Sequence, residues 1–322
     1  MSTELYPWLK PLWQQWQSNL ETKRFSNASL LLAEDGMGAE QIVERVTQAL
    51  MCTNFDSEPC GFCHSCQLMR SQTHPDFHVI APEKAGKTIT VDQIRECNRL
   101  AQESSQLSGM RVMVISPANA MNESASNALL KTLETPSERC IFILVANQAQ
   151  QLLPTIVSRC QQWRVTPPQA EQLTAWLSKV CPKPIPDFAP HINGLSPLKT
   201  QQFVEQGDDK LYQGIEQQLI ALCGGDSGQL IELAKQLVSD DNQRLIWLWY
   251  LLNDAQKVHF GLEQPHHTPG AHALAERSGY DLLYTQTQKL QYLIGDLKQH
   301  TGLNKELLII NWLTHFVGET CM

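Results

Sequence analysis

Positive charge is in short supply in this 322-residue chain: 25 Lys and Arg stand against 33 Asp and Glu, a net charge of −8 with the histidines neutral. From residue 207 onward the imbalance sharpens to 14 acids against 8 bases, while residues 1–206 hold 19 against 17. A C-terminal third of that sign is a poor grip for nucleic acid, which is held by Lys and Arg neutralising phosphates. The near-neutral remainder can still carry a local basic patch. Long apolar runs are missing as well. The strongest, LIWLWYLL at 245–252, is far shorter than the roughly 20 residues that span a bilayer. The opening stretch MSTELYPWLKPLWQQWQ carries Glu4 early and lacks the basic-then-apolar layout of a secretory signal. The expectation is therefore a soluble, cytoplasmic protein with no membrane partner.

A further absence is chemical. Residues 29–45, SLLLAEDGMGAEQIVER, run from an apolar strand into a glycine loop and then a helix with Ile42, Val43 and Val46 on one face. That is the outline of a phosphate-binding loop, whose signature is G-x-x-x-x-G-K-[ST]. With its second glycine on Gly38 (Gly36 is an extra one), the first glycine becomes Ala33, the phosphate-holding lysine Ala39 and the Mg²⁺-binding hydroxyl Glu40. Glu40 also puts negative charge at a helix N-terminus, where an anion would have to sit. A later Gly86-Lys87-Thr88 is no substitute, because a strand-like stretch at 89–91 follows it rather than a helix. The apolar run RVMVI at 111–115 ends in Ser116-Pro117, where a nucleotide hydrolase of this shape usually has Asp-Glu for Mg²⁺ and water. The loop is expected to hold no nucleotide productively.

What is present is an α/β pattern followed by helices. Strands are predicted near 30–32, 77–80, 89–91, 111–115 and 141–145. Helices are predicted at 8–20, from about 39, from an Asp92 N-cap and at 125–133, an alternation that implies a covered, mostly parallel sheet. Pro167-Pro168 marks a boundary. A short helical domain follows to 206, broken by Pro182, Pro184, Pro186 and Pro190. Residues 207–322 show only helical periods, at 211–222, 229–238, 242–258, 280–299 and 304–317, with 261–270 (GLEQPHHTPG) read as a loop. The predicted domains are thus 1–167, 168–206 and 207–322.

Ten cysteines are many for such a chain, and four of them cluster: Cys52, Cys60, Cys63 and Cys66 form C-x₇-C-x₂-C-x₂-C. In a cytosolic protein this spacing points to metal rather than disulfides. Four thiolates can close a tetrahedron around Zn²⁺ and leave no open position, so a structural zinc is expected. Iron–sulfur ligation is disfavoured, because Gln67-Leu68-Met69 follows Cys66 where a C-x₃-C-P context would be needed. His64, inside the knot, is read as a surface residue. Cys97, Cys140, Cys160, Cys181, Cys223 and Cys321 are scattered and read as ordinary thiols.

NALLKTLETP at 127–136, Ser158-Arg159-Cys160, the four-cysteine insert after the first glycine loop, and THPD at 73–76 together resemble bacterial clamp-loader subunits, AAA+ proteins of the DNA polymerase III holoenzyme. The likeness is strong over 1–168 and weaker beyond. It implies a zinc-bearing AAA+ domain, a small helical lid and a helical collar that holds a hetero-pentamer with ATPase subunits and a clamp-opening subunit. Leu307, Leu308, Ile310, Leu313 and Phe316 would lie on collar faces. The assembly would load a sliding clamp onto primed DNA. The likeness is to the subunit type that has lost its nucleotide site and supplies the SRC arginine, here Arg159, to a neighbour's ATP in trans. The γ-phosphate sensor would fall near Asn147, and the lid's sensor arginine near Leu198. The alternatives are an ATP-hydrolysing subunit, against which the missing ionic residues count, and a zinc-dependent nucleic-acid module, against which the acidic balance counts.

Overall fold

The computed structural model describes residues 4–84, 86–107, 109–137, 139–239, 242–264, 266–300 and 302–317. Cys321 lies outside them. The chain divides into two compact units, Met1–Pro167 and Pro168–Met322.

In the first unit α1 (Lys10–Glu21), β1 (Ala28–Leu32), α2 (Ala39–Met51), α3 (His64–Arg70), β2 (Phe77–Ile80) and α4 (Val91–Gln102) lead to β3 (Arg111–Ile115). The unit then continues through α5 (Glu123–Glu134), β4 (Cys140–Ala146), α6 (Pro154–Val157) and β5 (Gln161–Arg164). The five strands lie in the order β2-β3-β4-β1-β5 and every pairing is parallel. β1 and β3 are buried along their whole length, as near-continuous apolar runs covered on both faces must be. Beneath one face sits a core built on Leu30, Ile115, Phe142, Leu144, Leu129 and Ile94.

Two local expectations are corrected, and one strand has no counterpart among them. Residues 89–91 form no strand: Ile89 makes a single bridge to Met121, and Val91 already begins α4. The N-cap of α4 is Thr90 rather than Asp92, because Thr90 and Gln93 satisfy each other's backbone N–H groups in a capping box, and Asp92 is left in the first turn. β5 carries no apolar signal: QQWR is largely exposed at a sheet edge and is a strand only because β1 offers it a partner.

The second unit holds α7 (Ala170–Val180), α8 (Ala189–Ile192), α9 (Pro197–Gln206), α10 (Asp208–Cys223), α11 (Leu230–Leu237), α12 (Gln243–Val258), α13 (Ala271–Arg277), α14 (Tyr280–Gln299) and α15 (Lys305–Val317). One cluster of buried side chains centres on Leu173, Leu177, Phe188 and Phe203. Another centres on Leu219, Leu248, Leu290 and Leu313. Leu313 and Phe316 are buried, whereas Leu307 is 61% exposed. The 261–270 loop gives way to α13, a helix too short to show a period. Two buried carboxylates fasten that loop. Asp254 accepts the N–H and Oγ1–H of Thr268 at 3.0 and 3.2 Å, and Glu216 accepts the Gly270 N–H at 2.8 Å. A Cβ at Gly270 would lie 2.5 Å from Glu216. Among the described residues no helix is long and apolar enough to cross a membrane.

Candidate functional site

The glycine loop follows β1, and Gly38 is the N-cap of α2. Gly36 and Gly38 have φ of 81° and 72°, backbone that residues with a Cβ rarely adopt. The turn is thus built as a phosphate loop is built, but its surroundings differ. Met37 is buried, and its carbonyl accepts the Trp8 indole N–H at 2.8 Å. Gln41, in the first turn of α2, accepts the Tyr6 N–H at 2.8 Å and donates to the Glu4 carbonyl at 3.0 Å. Ala39 is buried, and Glu40 is exposed in the first helical turn. Asn147 donates to Asp35 at 3.0 Å, so the sensor-like amide is engaged with a loop carboxylate. Ser116 follows β3 directly, with its N–H on the Ile80 carbonyl, and Pro117 comes next. Neither brings a carboxylate to the corner where Mg²⁺ would need one.

Arg159 lies at the other end of the sheet. It precedes β5, whose first residue Gln161 pairs with Ser29, so Arg159 is level with the entry to β1. The glycine loop begins after Leu32, at the exit of the same strand. With a rise of about 3.3 Å per residue the two are separated by roughly 20 Å along the strands. Local structure explains the tripeptide. Ser158 closes α6 with its hydroxyl on the Thr155 carbonyl at 3.2 Å. Cys160 is buried in the core, which pushes its thiol up to about 11. Arg159, between them, points outward with its side chain one-third exposed. It donates from Nε to Glu134 Oε1 at 2.9 Å, from Nη2 to the same oxygen, and from Nη1 to the Thr155 carbonyl at 2.9 Å.

The four clustered thiols come together between α2 and β2. Cys52 caps the end of α2, and Cys63 caps the start of α3 with its sulfur accepting the Cys66 N–H at 3.4 Å. All four Sγ atoms lie within 4.8 Å of one another, with Cys60 and Cys66 at 3.9 Å. A tetrahedral Zn²⁺ with Zn–S bonds of about 2.3 Å needs S–S edges of about 3.8 Å. Backbone N–H groups of Cys60 and Cys63 also point at Cys52 and Cys60 sulfurs, at 3.4 and 3.3 Å, donors suited to thiolates. The residues fit zinc. Gly61, at φ 78°, makes the turn between the paired cysteines. His64 is exposed. Among the described residues the scattered cysteines, Cys97, Cys140, Cys160, Cys181 and Cys223, are buried, and burial pushes Cys97 up to about 12 and Cys140 and Cys223 to about 11, which leaves them as unreactive thiols.

THPD proves to be a structural joint beneath this cluster. His74 Nδ1 accepts the Asp76 N–H at 3.1 Å, so its Nε2 carries the proton and donates to Ser65 Oγ at 2.8 Å. Ser65 in turn donates to the Met51 carbonyl at the end of α2. Burial holds His74 below its ordinary pKa and keeps it neutral. Asp76, with no exposure, accepts Arg111 Nη2 at 2.8 Å and the N–H groups of Gln106 and Leu107. Nothing local in the sequence announces the Asp76–Arg111 pair, which spans 35 positions.

A second group, His191, Asp254 and His267, also has ligand atoms within 4.8 Å of one another. Its carboxylate is already filled by His191, Lys257 and Thr268. His267 Nδ1 accepts the Gln264 N–H, which leaves the Nε2 proton facing Asp254. It is a hydrogen-bonded hub. The donors around Asp254 outweigh its burial and hold it down to about 2.

Residues 8–169 match the protein family described as DNA polymerase III, delta subunit, and residues 207–318 its C-terminal counterpart. The chain is 32% identical to the Escherichia coli DNA polymerase III subunit delta', over 96% of this chain and 94% of that one. It is 40% identical to the Haemophilus influenzae protein of the same name, over 54% of this chain and 53% of that one. A Thermotoga maritima gamma subunit-related protein, solved crystallographically, is 20% identical with a TM-score of 0.45, over 95% of this chain and 98% of that one.

Proposed function

We infer the role from membership: the chain belongs to the family of DNA polymerase III delta' clamp-loader subunits. On that footing we propose that it works in the cytoplasm as a clamp-loader subunit that does not hydrolyse nucleotide. It sits beside ATPase subunits and a clamp-opening subunit in a hetero-pentamer that loads the sliding clamp onto primer-template DNA. Residues 1–167 serve as the AAA+ domain, 168–206 as a lid and 207–322 as a collar. Arg159 is the finger offered to a neighbouring subunit's ATP.

The observation that carries this reading is the placement of Arg159 and the glycine loop at opposite ends of the parallel sheet. An arginine on that edge cannot reach a nucleotide in its own loop. If it meets a phosphoryl group, that group belongs to another chain, where a planar guanidinium matches the charge developing on transfer. The loop's own state supports the same division of labour: Ala39, Glu40, Ser116 and Pro117 occupy the positions of the ionic contacts. Isothermal titration of the isolated chain with Mg-ATP is expected to show no saturable binding, and Ala39→Lys alone is expected not to restore it. Tight, stoichiometric binding by the wild-type chain would favour the ATPase alternative.

Cys52, Cys60, Cys63 and Cys66 hold a structural Zn²⁺ that fastens residues 52–66 to the end of α2. The metal's contribution there is to cross-link the insert as it folds. Elemental analysis of the purified chain is expected to give about one zinc per chain. Cys63→Ser is expected to lower that content sharply and to increase proteolysis within 52–76. A wild-type chain that stays zinc-free after equilibration with zinc would remove the assignment.

A further inference from the structure

We propose that Glu134 is a positioning residue for Arg159, holding the guanidinium with its outer edge presented to a neighbour's phosphates. The proposal rests on the reading of Arg159 given above and adds a residue that the SRC tripeptide does not contain.

Glu134 is the last residue of α5 and Arg159 follows the single turn of α6. The two helices are set against each other through the shared core, where Leu133 and Ile156 are both buried. The backbone on each side of the pair is therefore fixed by packing that neither side chain makes itself. Glu134 Oε1 takes Nε and Nη2, which is one whole edge of the guanidinium plane, and the Thr155 carbonyl takes Nη1. Three of the five N–H groups are thus spent within the chain at these contacts, and by valence one remains on each Nη. A group gripped along one edge and at one further nitrogen cannot spin about its own stem. The leftover N–H groups sit one on each terminal nitrogen, where a phosphate oxygen can accept from them. An arginine on a bare surface would have to give up its rotamer freedom each time it reached across an interface. Here the carboxylate has done so in advance.

An opposite role would also use these contacts. If Glu134 parked the arginine and competed with phosphate for it, removing the carboxylate would release the finger and speed hydrolysis. The geometry favours positioning, because the carboxylate occupies only one edge of the fork. The pair is half-exposed, so its removal should leave the fold intact.

The test uses the reconstituted complex with Glu134→Ala, Glu134→Gln, Arg159→Ala and the double variant Glu134→Ala/Arg159→Ala. Steady-state ATP hydrolysis on primed DNA with clamp present is resolved into kcat and KM. Glu134→Ala is expected to lower kcat at the adjacent site on the order of tenfold, as misplacement of a catalytic group does. KM and assembly should be unchanged. Glu134→Gln should recover part of the loss, since its amide oxygen still accepts from the fork. The double variant should be no slower than Arg159→Ala alone, because a residue that acts only through Arg159 has nothing left to position. Equal or faster turnover by Glu134→Ala, with Arg159→Ala defective, overturns the proposal and leaves the finger standing. A double variant slower than Arg159→Ala also overturns it, by showing a separate role for Glu134. Arg159→Ala at the wild-type rate overturns both the proposal and the reading beneath it.

Discussion

Replacing Asp76 by alanine is expected to destabilise the first unit by about 3–5 kcal/mol, the cost of leaving a buried cation without its partner. Arg111 is 2% exposed, and its guanidinium is surrounded by Asp76 and the carbonyls of Leu100, Glu103 and Ser104. The carbonyls satisfy its N–H groups but do not cancel its charge. Asp76 also accepts from the Gln106 and Leu107 backbone, so the segment between α4 and β3 loses its anchor in the same step. Burial alone would raise the Asp76 pKa, but Arg111 and the two backbone donors outweigh it and hold the carboxylate below its ordinary range. A depressed pKa means that the stability is present above the unfolded value of about 3.9 and is lost as pH falls through the folded value. Urea unfolding followed between neutral pH and about pH 3 should therefore show wild type and Asp76→Ala converging in acid. The double variant Asp76→Ala/Arg111→Met should lose less than the sum of the two single changes. Additive losses, or a wild-type stability insensitive to acid, would remove the ion pair from its place at the centre of this unit.

The sequence displays what is local and hides what is distant. β1, β3 and β4 are legible because central parallel strands must be apolar on both faces, and SLLL, RVMVI and CIFILVA say so. β5 is illegible because QQWR lies at an edge and owes its conformation to Leu30–Leu32 beside it. The cysteine cluster is legible because its four thiols fall within fifteen residues and their spacing is the signal. Thr90 as the cap of α4 is recoverable in principle, since T-x-x-Q before an apolar face is a capping signature. The joint of Ser65, His74, Asp76 and Arg111 is not, because only the fold brings position 111 to position 76. Arg159 can be suspected from three residues, but its partner Glu134 and its distance from the glycine loop become visible only once the sheet order is known.

Arg159→Ala is expected to reduce ATP hydrolysis at one neighbouring site on the order of 10³-fold, the lower end of the range for arginine fingers supplied in trans. Its stability should change by only about 0.5 kcal/mol, as for surface substitutions generally. The chain should remain zinc-loaded and able to join the complex, because the side chain is a third exposed and the neighbouring Ile156 and Cys160 keep the turn in the core. Arg159→Lys should recover little, since an ammonium lacks the planar fork and cannot take both Glu134 and a phosphate in one plane. The direct measurement is clamp- and primer-stimulated ATP turnover of the reconstituted complex carrying Arg159→Ala, with complex formation checked in the same preparation. The account predicts normal assembly with hydrolysis lost at the one site adjoining this subunit. Normal assembly with wild-type hydrolysis at every site would contradict it.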